Sequence, residues 1–238
     1  MTSADRDPGG PAQLGIPIRI GIVFDLDGTL IDSRADIANA ANHALAAHGF
    51  ATLSVSEISS FVGDGARVLL ERAARLAPGA AELDPLLSTF LAYYAAHPTD
   101  HTLLIPGAHE ALAHLSHLTD VPLALCTNKP RSITDAVLAN LRLPAHFSAI
   151  VAGGDLPKNK PDPLPLLHLA QELSLRPSEL VMVGDGPQDI LCAKAAGARS
   201  VGVEGGMQGA ERLLATNPDV MLRSLADLPS VIERWLEG

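Results

Sequence analysis

Aromatic side chains are scarce, with five Phe, two Tyr and one Trp among 238 residues. A core without them is built from Ile, Leu, Val and Ala, so the sequence predicts helices that pack through small faces. Cysteine is scarcer still. Cys126 and Cys192 are the only two, and each sits in an apolar segment as a small core residue. Two such residues make no disulfide framework and predict a reducing, cytoplasmic setting. Positive charge is short as well. Seventeen Lys and Arg against 27 Asp and Glu leave a net charge of -10, which argues against nucleic acid or an anionic membrane surface as a partner. A small anionic substrate stays within reach, because a bound metal and a few cations invert the potential locally. No stretch is apolar for long enough to span a bilayer. Residues 1–15 lack the apolar centre of a signal peptide and are polar and rich in Gly and Pro. They are expected to form a disordered tail.

What is present is organised around Ile18 to Leu30, Ile-Arg-Ile-Gly-Ile-Val-Phe-Asp-Leu-Asp-Gly-Thr-Leu. The apolar, β-branched run after Pro17 fits a buried parallel strand. It ends in two carboxylates one residue apart, Asp25 and Asp27, followed by Gly28 and Thr29. Paired acids at the end of a buried strand repel each other and resist ionisation unless a cation lies between them. Taken alone, the stretch also fits a simple Asp-Gly turn.

From Asp32 the rhythm turns helical. Asp32 or Ser33 can cap a helix to about His48, closed by Gly49. Ser54 and Glu57 form a capping box. Gly63-Asp64-Gly65 breaks the pattern before a helix from Ala66 to Ala77. Leu83, Leu86, Leu87, Phe90, Leu91 and Tyr94 recur at helical intervals. Residues 32–103 therefore read as an all-helical insert. Beyond them short apolar strands (122–126, 149–152, 180–183, 200–203, 220–222) alternate with helices, as in a doubly wound parallel α/β sheet. Ligands of such sheets bind beyond the carboxyl ends of the strands. The domain reading is a core of 16–31 and 104–238 with a cap of 32–103.

Four groups stand out: Asp25 with Asp27 and Thr127 with Asn128 at strand ends, Lys160 in Asn-Lys-Pro-Asp-Pro before a helix, and Asp185 with Asp189 in Gly-Asp-Gly-Pro-Gln-Asp. Singly, Thr127-Asn128 reads as a helix cap, Lys160 as a solvated loop charge and Asp189 as an N-cap. In order and spacing the set resembles the four motifs of the haloacid dehalogenase superfamily, in its Asp-x-Asp-Gly-Thr phosphatase branch. The resemblance runs from Ile18 to the end of the chain. It implies a Rossmann-like core with an inserted helical cap, and hydrolysis of a small phosphorylated metabolite through an aspartyl-phosphate. It implies Asp25 as nucleophile, Asp27 as general acid and base, and Lys160 as the cation that neutralises nucleophile and phosphoryl oxygens. Gly28, Thr127 and Asn128 would help to bind phosphate. The implied cofactor is Mg²⁺, held by the Asp25 carboxylate, the Asp27 backbone carbonyl and Asp185, with Asp189 in support. A cluster of hard oxygens without a Cys or His set suits that ion.

Asp27 and the metal cage argue against dehalogenation. None of the four lysines, Lys129, Lys158, Lys160 and Lys194, lies in the insert, which argues against phosphonate hydrolysis through a cap Schiff base. A sugar-phosphate phosphatase or mutase keeps the same core and stays open. Residues 61–73, 126–130 and 153–163 resemble the phosphoglycolate phosphatase branch. Gly186-Pro187-Gln188 and Glu204-Gly205-Gly206 depart from it. The second anion of such a substrate needs a receptor in the cap. Gly63 and Gly65 allow close backbone approach at a helix start, and Arg67, in the first turn, is the arginine expected to face the same way.

Overall fold

The computed structural model describes residues 18–237; the tail expected over 1–15 lies outside the described residues. Strand β1 (Gly21–Phe24) leads into β2 (Ile31–Asp32) and then helices α1 (Arg34–Ala47), α2 (Val55–Ser59), α3 (Ala66–Ala74) and α4 (Leu83–Ala96). The chain returns through β3 (Leu103–Leu104) to α5 (Ala108–Ser116), β4 (Leu123–Pro130), α6 (Arg131–Asn140) and β5 (Ala149–Gly153). It ends with α7 (Leu164–Glu172), β6 (Leu180–Gly184), α8 (Pro187–Ala196), β7 (Arg199–Val203), α9 (Ala210–Leu214), β8 (Val220–Leu222) and α10 (Leu228–Glu237).

Six strands form one parallel sheet in the order β5-β4-β1-β6-β7-β8. β1 lies at the centre, where the winding direction reverses, and such a reversal opens a crevice at the carboxyl ends of the strands. Both sheet faces are covered. Ile22 and Phe24 of β1, with Val181 and Val183 of β6, join Leu112, Leu115, Val137 and Ile232 in one core. Val23 and Met182, one residue out of phase, join Leu166, Leu169, Cys192 and Ala193 on the opposite face. That alternation is why these strands read as continuous apolar runs.

The helical insert has its own reasons to form. Ser54 and Glu57 make the capping box at the start of α2. α1 packs against α4, and its Ala40, Ala41 and Ala44 are fully buried small residues. The insert enters through β2 and leaves through β3. These pair as a two-residue antiparallel ribbon, Ile31 with Leu104 and Asp32 with Leu103. The buried Asp36 of α1 fastens the ribbon from above, accepting from the His101 N–H at 3.0 and 3.1 Å and from Thr102 Oγ1 at 2.6 Å. This ribbon is not legible in the sequence, because two-residue strands carry no periodicity.

Two other expectations change. The strand over 122–126 runs on to Pro130, with irregular pairing to β5 between Cys126 and Pro130. Thr127, Asn128 and Lys129 therefore lie within a strand end, not in a helix cap. α9 and α10 were not expected, although Leu228, Val231, Ile232 and Trp235 carry a helical spacing.

Candidate active site

β1 delivers Asp25 to the centre of the crevice, where its N–H donates to the Val183 carbonyl of β6 at 2.9 Å. β6 delivers Asp185 beside it. Thr29 Oγ1 donates to Asp185 Oδ1 at 2.9 Å and the Met207 N–H to Asp185 Oδ2 at 2.9 Å. Gly28 follows from this proximity. Its φ is +92°, and a Cβ there would fall 2.4 Å from Asp185 Oδ2. The Asp-Gly-Thr sequence thus seats the acid of another strand, with glycine leaving room and threonine holding it.

Lys160 reaches in from the β5–α7 connection with its ammonium buried. It donates to Asp25 Oδ1 at 2.7 Å, Asp189 Oδ1 at 2.6 Å and the Cys126 carbonyl at 2.6 Å. The second oxygen of Asp189 accepts from the Gly186 N–H at 3.0 Å and closes the first turn of α8. Both Asp189 oxygens are thus engaged by the protein, so Asp189 anchors Lys160 and the loop. Asn128 steadies the same loop: its Oδ1 accepts from the Lys160 N–H at 3.0 Å and its Nδ2 donates to the Lys160 carbonyl at 2.8 Å. Thr127 Oγ1, buried in the same cavity, accepts from the Lys129 N–H at 3.2 Å, which leaves its own proton free to donate.

Asp27 lies on the cap side. Its carboxylate accepts from Ser33 Oγ at 2.5 Å and from Lys129 Nζ at 2.9 and 3.2 Å. Lys129 Nζ also donates to the hydroxyl of Tyr94 in α4 at 2.5 Å and lies 4.4 Å from the centre of that ring. Burial, opposed by Lys129, pushes the Tyr94 phenol up to about 12. Burial would lower the Lys129 ammonium, but Asp27 and Tyr94 outweigh it and hold it above its ordinary value. Lys129 and Tyr94 were missed as site residues. One signal existed, a lysine directly after Thr127-Asn128, but its partners come from other parts of the chain.

The insert closes the crevice. Val62, Gly63, Gly65, Ala66, Leu69, Phe90 and Tyr94 line one cavity with Asp25, Asp27, Lys160 and Asp185, about 620 Å³ including its open mouth. Asn128 Nδ2 donates to the Gly63 carbonyl at 2.7 Å, tying loop to core. Gly63 and Gly65 have φ of +123° and +91°. Arg67 is a correction. Its guanidinium pairs with Asp84 of α4 at 2.6 Å, half-exposed, and it does not line the cavity. The turn at Gly65 starts α3 so that this position faces α4.

Oxygens of Asp25, Asp185 and Asp189 all lie within 4.8 Å of one another. Burial, with Asp189 and Asp185 beside it, raises the Asp25 carboxyl to about 8 despite Lys160. Burial and Asp189 raise Asp185 to about 7. Burial and neighbouring carboxylates work against the charge on both Asp25 and Asp185, and a divalent cation would offset that. Their oxygens, with no nitrogen or sulfur donor in the set, fit Mg²⁺.

A pH dependence follows. Folding raises both carboxyls from the ordinary value of 3.8, Asp25 to about 8 and Asp185 to about 7, because they are buried beside each other and Asp189. Between these limits the folded chain binds more protons, so the metal-free protein loses stability as pH rises through this window. Mg²⁺ competes with those protons, so its stabilisation grows over the same window. Thermal melts with saturating MgCl₂ or EDTA should differ little at about pH 5 and clearly at about pH 8.5. An equal gain at both values would contradict the cluster as the metal site.

The family model described as haloacid dehalogenase-like hydrolase matches residues 22–203. A phosphoglycolate phosphatase of Pectobacterium atrosepticum is 40% identical over 215 residues, covering 89% of this chain and 92% of its own. A phosphoglycolate phosphatase of Cereibacter sphaeroides is 44% identical over 183 residues, covering 75% and 82%. The crystal structure of a predicted phosphoglycolate phosphatase from Haemophilus somnus superposes with a TM-score of 0.83 at 30% identity, over 92% of this chain and 100% of that one. With the two aspartates that follow β1, Lys160 and Asp185 gathered at the switch of a parallel sheet, this chain belongs to the haloacid dehalogenase-like hydrolases.

Proposed function

We propose that the chain is a Mg²⁺-dependent phosphatase that cleaves a small phosphate monoester through an aspartyl-phosphate on Asp25, with 2-phosphoglycolate as its substrate. The observation that carries this reading is the division of labour at Asp25. One oxygen is held by Lys160, while the other receives no hydrogen bond among the described residues and borders the cavity. That free oxygen is the nucleophile. It attacks phosphorus as the bond to the leaving oxygen breaks, and Asp27 gives that oxygen a proton. Asp27 then takes a proton from water, whose oxygen attacks phosphorus and releases Asp25 and inorganic phosphate. Lys160 and Thr127 stabilise the phosphoryl oxygens as charge moves between them. The Asp25 and Asp185 carboxylates, with the Asp27 carbonyl, would hold Mg²⁺, which when bound offsets the repulsion between carboxylate and phosphate dianion.

Residues 32–103 act as a cap domain on a core of 16–31 and 104–238, and closing it keeps water from the phosphoryl site. Lys160 serves the phosphoryl end and Lys129 is engaged by Asp27 and Tyr94, so the carboxylate of 2-phosphoglycolate is left to backbone N–H groups at Gly63 and Gly65. Relatives named phosphoglycolate phosphatase at about 40% identity support that choice. Two reduced, buried cysteines suit a cytoplasmic location.

The test is phosphate release from 2-phosphoglycolate and p-nitrophenyl phosphate, with MgCl₂ or EDTA. Charge-assisted bonds to the carboxylate should favour phosphoglycolate by roughly 30- to 1,000-fold in kcat/KM. EDTA should abolish both reactions. A preference near unity would remove phosphoglycolate as the substrate, and turnover in EDTA would remove the metal.

A further inference from the structure

One buried cation in the crevice takes no part in the cycle proposed above. Lys129 has its backbone fixed at the irregular end of β4, where its N–H donates to Thr127 Oγ1 and its carbonyl accepts from Thr134 Oγ1, both at 3.2 Å. Its side chain is 2% exposed. An ammonium only donates. It gives one contact to Asp27, at 2.9 Å from Oδ1 and 3.2 Å from Oδ2, and another to the Tyr94 hydroxyl at 2.5 Å. Tyr94 is itself fixed. It is buried in α4, with Phe90 edge-on at 5.6 Å between ring centres, and its own ring centre lies 4.4 Å from the ammonium.

A buried ion pair is a weak device for stability, since apolar residues of the same volume often serve as well or better. This pair is placed on the residue that moves protons in the proposed cycle. A lysine tip on its flexible stem stays in one place only where something holds it, and the Tyr94 hydroxyl holds this one. The grip on Asp27 is also lopsided. Oδ1 accepts from Ser33 Oγ at 2.5 Å and from Lys129 at the shorter of its two distances. Among the described residues Oδ2 has only the longer Lys129 contact. An oxygen that accepts twice has its lone pairs occupied, so a proton carried by Asp27 belongs on Oδ2.

We infer that Lys129 and Tyr94 are positioning residues for Asp27: the Tyr94 hydroxyl fixes the Lys129 ammonium, and the ammonium, with Ser33, fixes the carboxyl that passes a proton to the leaving group. Tyr94 belongs to the insert, and Asp27 and Lys129 to the core, so both parts of the chain set the acid. The inference rests on the phosphatase reading above, and within it on Asp27 as the acid, but not on phosphoglycolate as the substrate.

The experiment compares phenyl phosphate with p-nitrophenyl phosphate in MgCl₂. Neither carries a carboxylate, so a part for Lys129 in binding one cannot move the result. p-Nitrophenolate leaves without a proton, whereas the more basic phenolate leaves better with one. Tyr94→Phe keeps the ring and removes only the hydroxyl. Lys129→Met removes the charge at similar length, and Asp27→Asn removes the acid itself. The readout is the ratio of kcat/KM for p-nitrophenyl phosphate to that for phenyl phosphate, which reports on formation of the aspartyl-phosphate. It should rise most in Asp27→Asn, and by roughly 5- to 50-fold over the wild type in Lys129→Met and Tyr94→Phe. The wild-type ratio in either folded variant would overturn the inference. That includes equal losses on the two esters, which would mean that the contact serves packing or closure alone. If Lys129→Met does not fold, Tyr94→Phe decides by itself. If Asp27→Asn keeps the wild-type ratio, Asp27 is not the acid and the inference falls with that role. If the wild type cleaves neither ester, the phosphatase reading falls first and takes the inference with it.

Discussion

Asp25→Asn protein should lose turnover by on the order of 10⁴- to 10⁶-fold, the scale seen when a nucleophile is removed from a working catalytic set. It should melt no earlier than the parent in EDTA. The reason lies in its burial. Asp25 sits among Asp185, Asp189 and Lys160, and its carboxyl is already raised to about 8 without metal. An amide keeps the shape, and its oxygen still accepts from Lys160 in place of Asp25 Oδ1. What it lacks is the electron pair that attacks phosphorus. Beryllium fluoride should attach to the wild type at Asp25 and fail to attach to Asp25→Asn, which ¹⁹F NMR reads directly. Near-normal turnover in purified Asp25→Asn, or fluoride trapped on another residue, would refute the role of Asp25.

Lys160→Met should damage both activity and stability. The ammonium is surrounded by Asp25, Asp189 and the Cys126 carbonyl. Burial works against its charge, but the two aspartates more than compensate and hold its pKa well above the ordinary value. Removing one partner of such a buried cluster costs about 3–5 kcal/mol, because the remaining charges stay buried without compensation. Loss of a cation from the phosphoryl site should cut kcat by roughly 10²- to 10³-fold or more. The stability loss should be largest near pH 8.5 in EDTA, where Asp25 and Asp185 are ionised. It should shrink as pH falls below about 7, where protons take over part of the cation's task. Denaturant unfolding at the two pH values measures both terms. A loss that does not depend on pH would mean that Lys160 contributes packing and little charge compensation.

The sequence made the sheet and the reacting groups legible. Apolar runs of four or five residues mark buried strands, and polar residues at their ends mark the crevice, but Asp25, Asp27, Thr127, Lys160 and Asp185 are joined into one site only by the resemblance of their order and spacing to the four motifs of the haloacid dehalogenase superfamily. What stayed hidden depends on which distant segments meet. Lys129 looks like any loop lysine until α4 brings Tyr94 and β1 brings Asp27 to it. Arg67 misled because helix position predicts a face only once the direction of the helix is known. The turn at Gly65 gives that face to Asp84.

The ribbon of β2 and β3 has a consequence for how such an enzyme can change its diet. The insert leaves and rejoins the core through residues already paired with each other, Ile31 with Leu104 and Asp32 with Leu103. Its two ends are therefore adjacent whatever lies between them, and the closure entropy of the intervening chain rises only slowly with length. The core meets the insert as a plug meets a two-pin socket. A foreign segment, longer or shorter, could be grafted between Asp32 and Leu103 without moving Asp25 or Asp185. Asp36 braces the returning strand through His101 and Thr102. Asp25 and Asp185 would keep their places through such an exchange, but Asp27 would lose Ser33, and its partner Lys129 would lose Tyr94, so only part of the chemistry is independent of the insert.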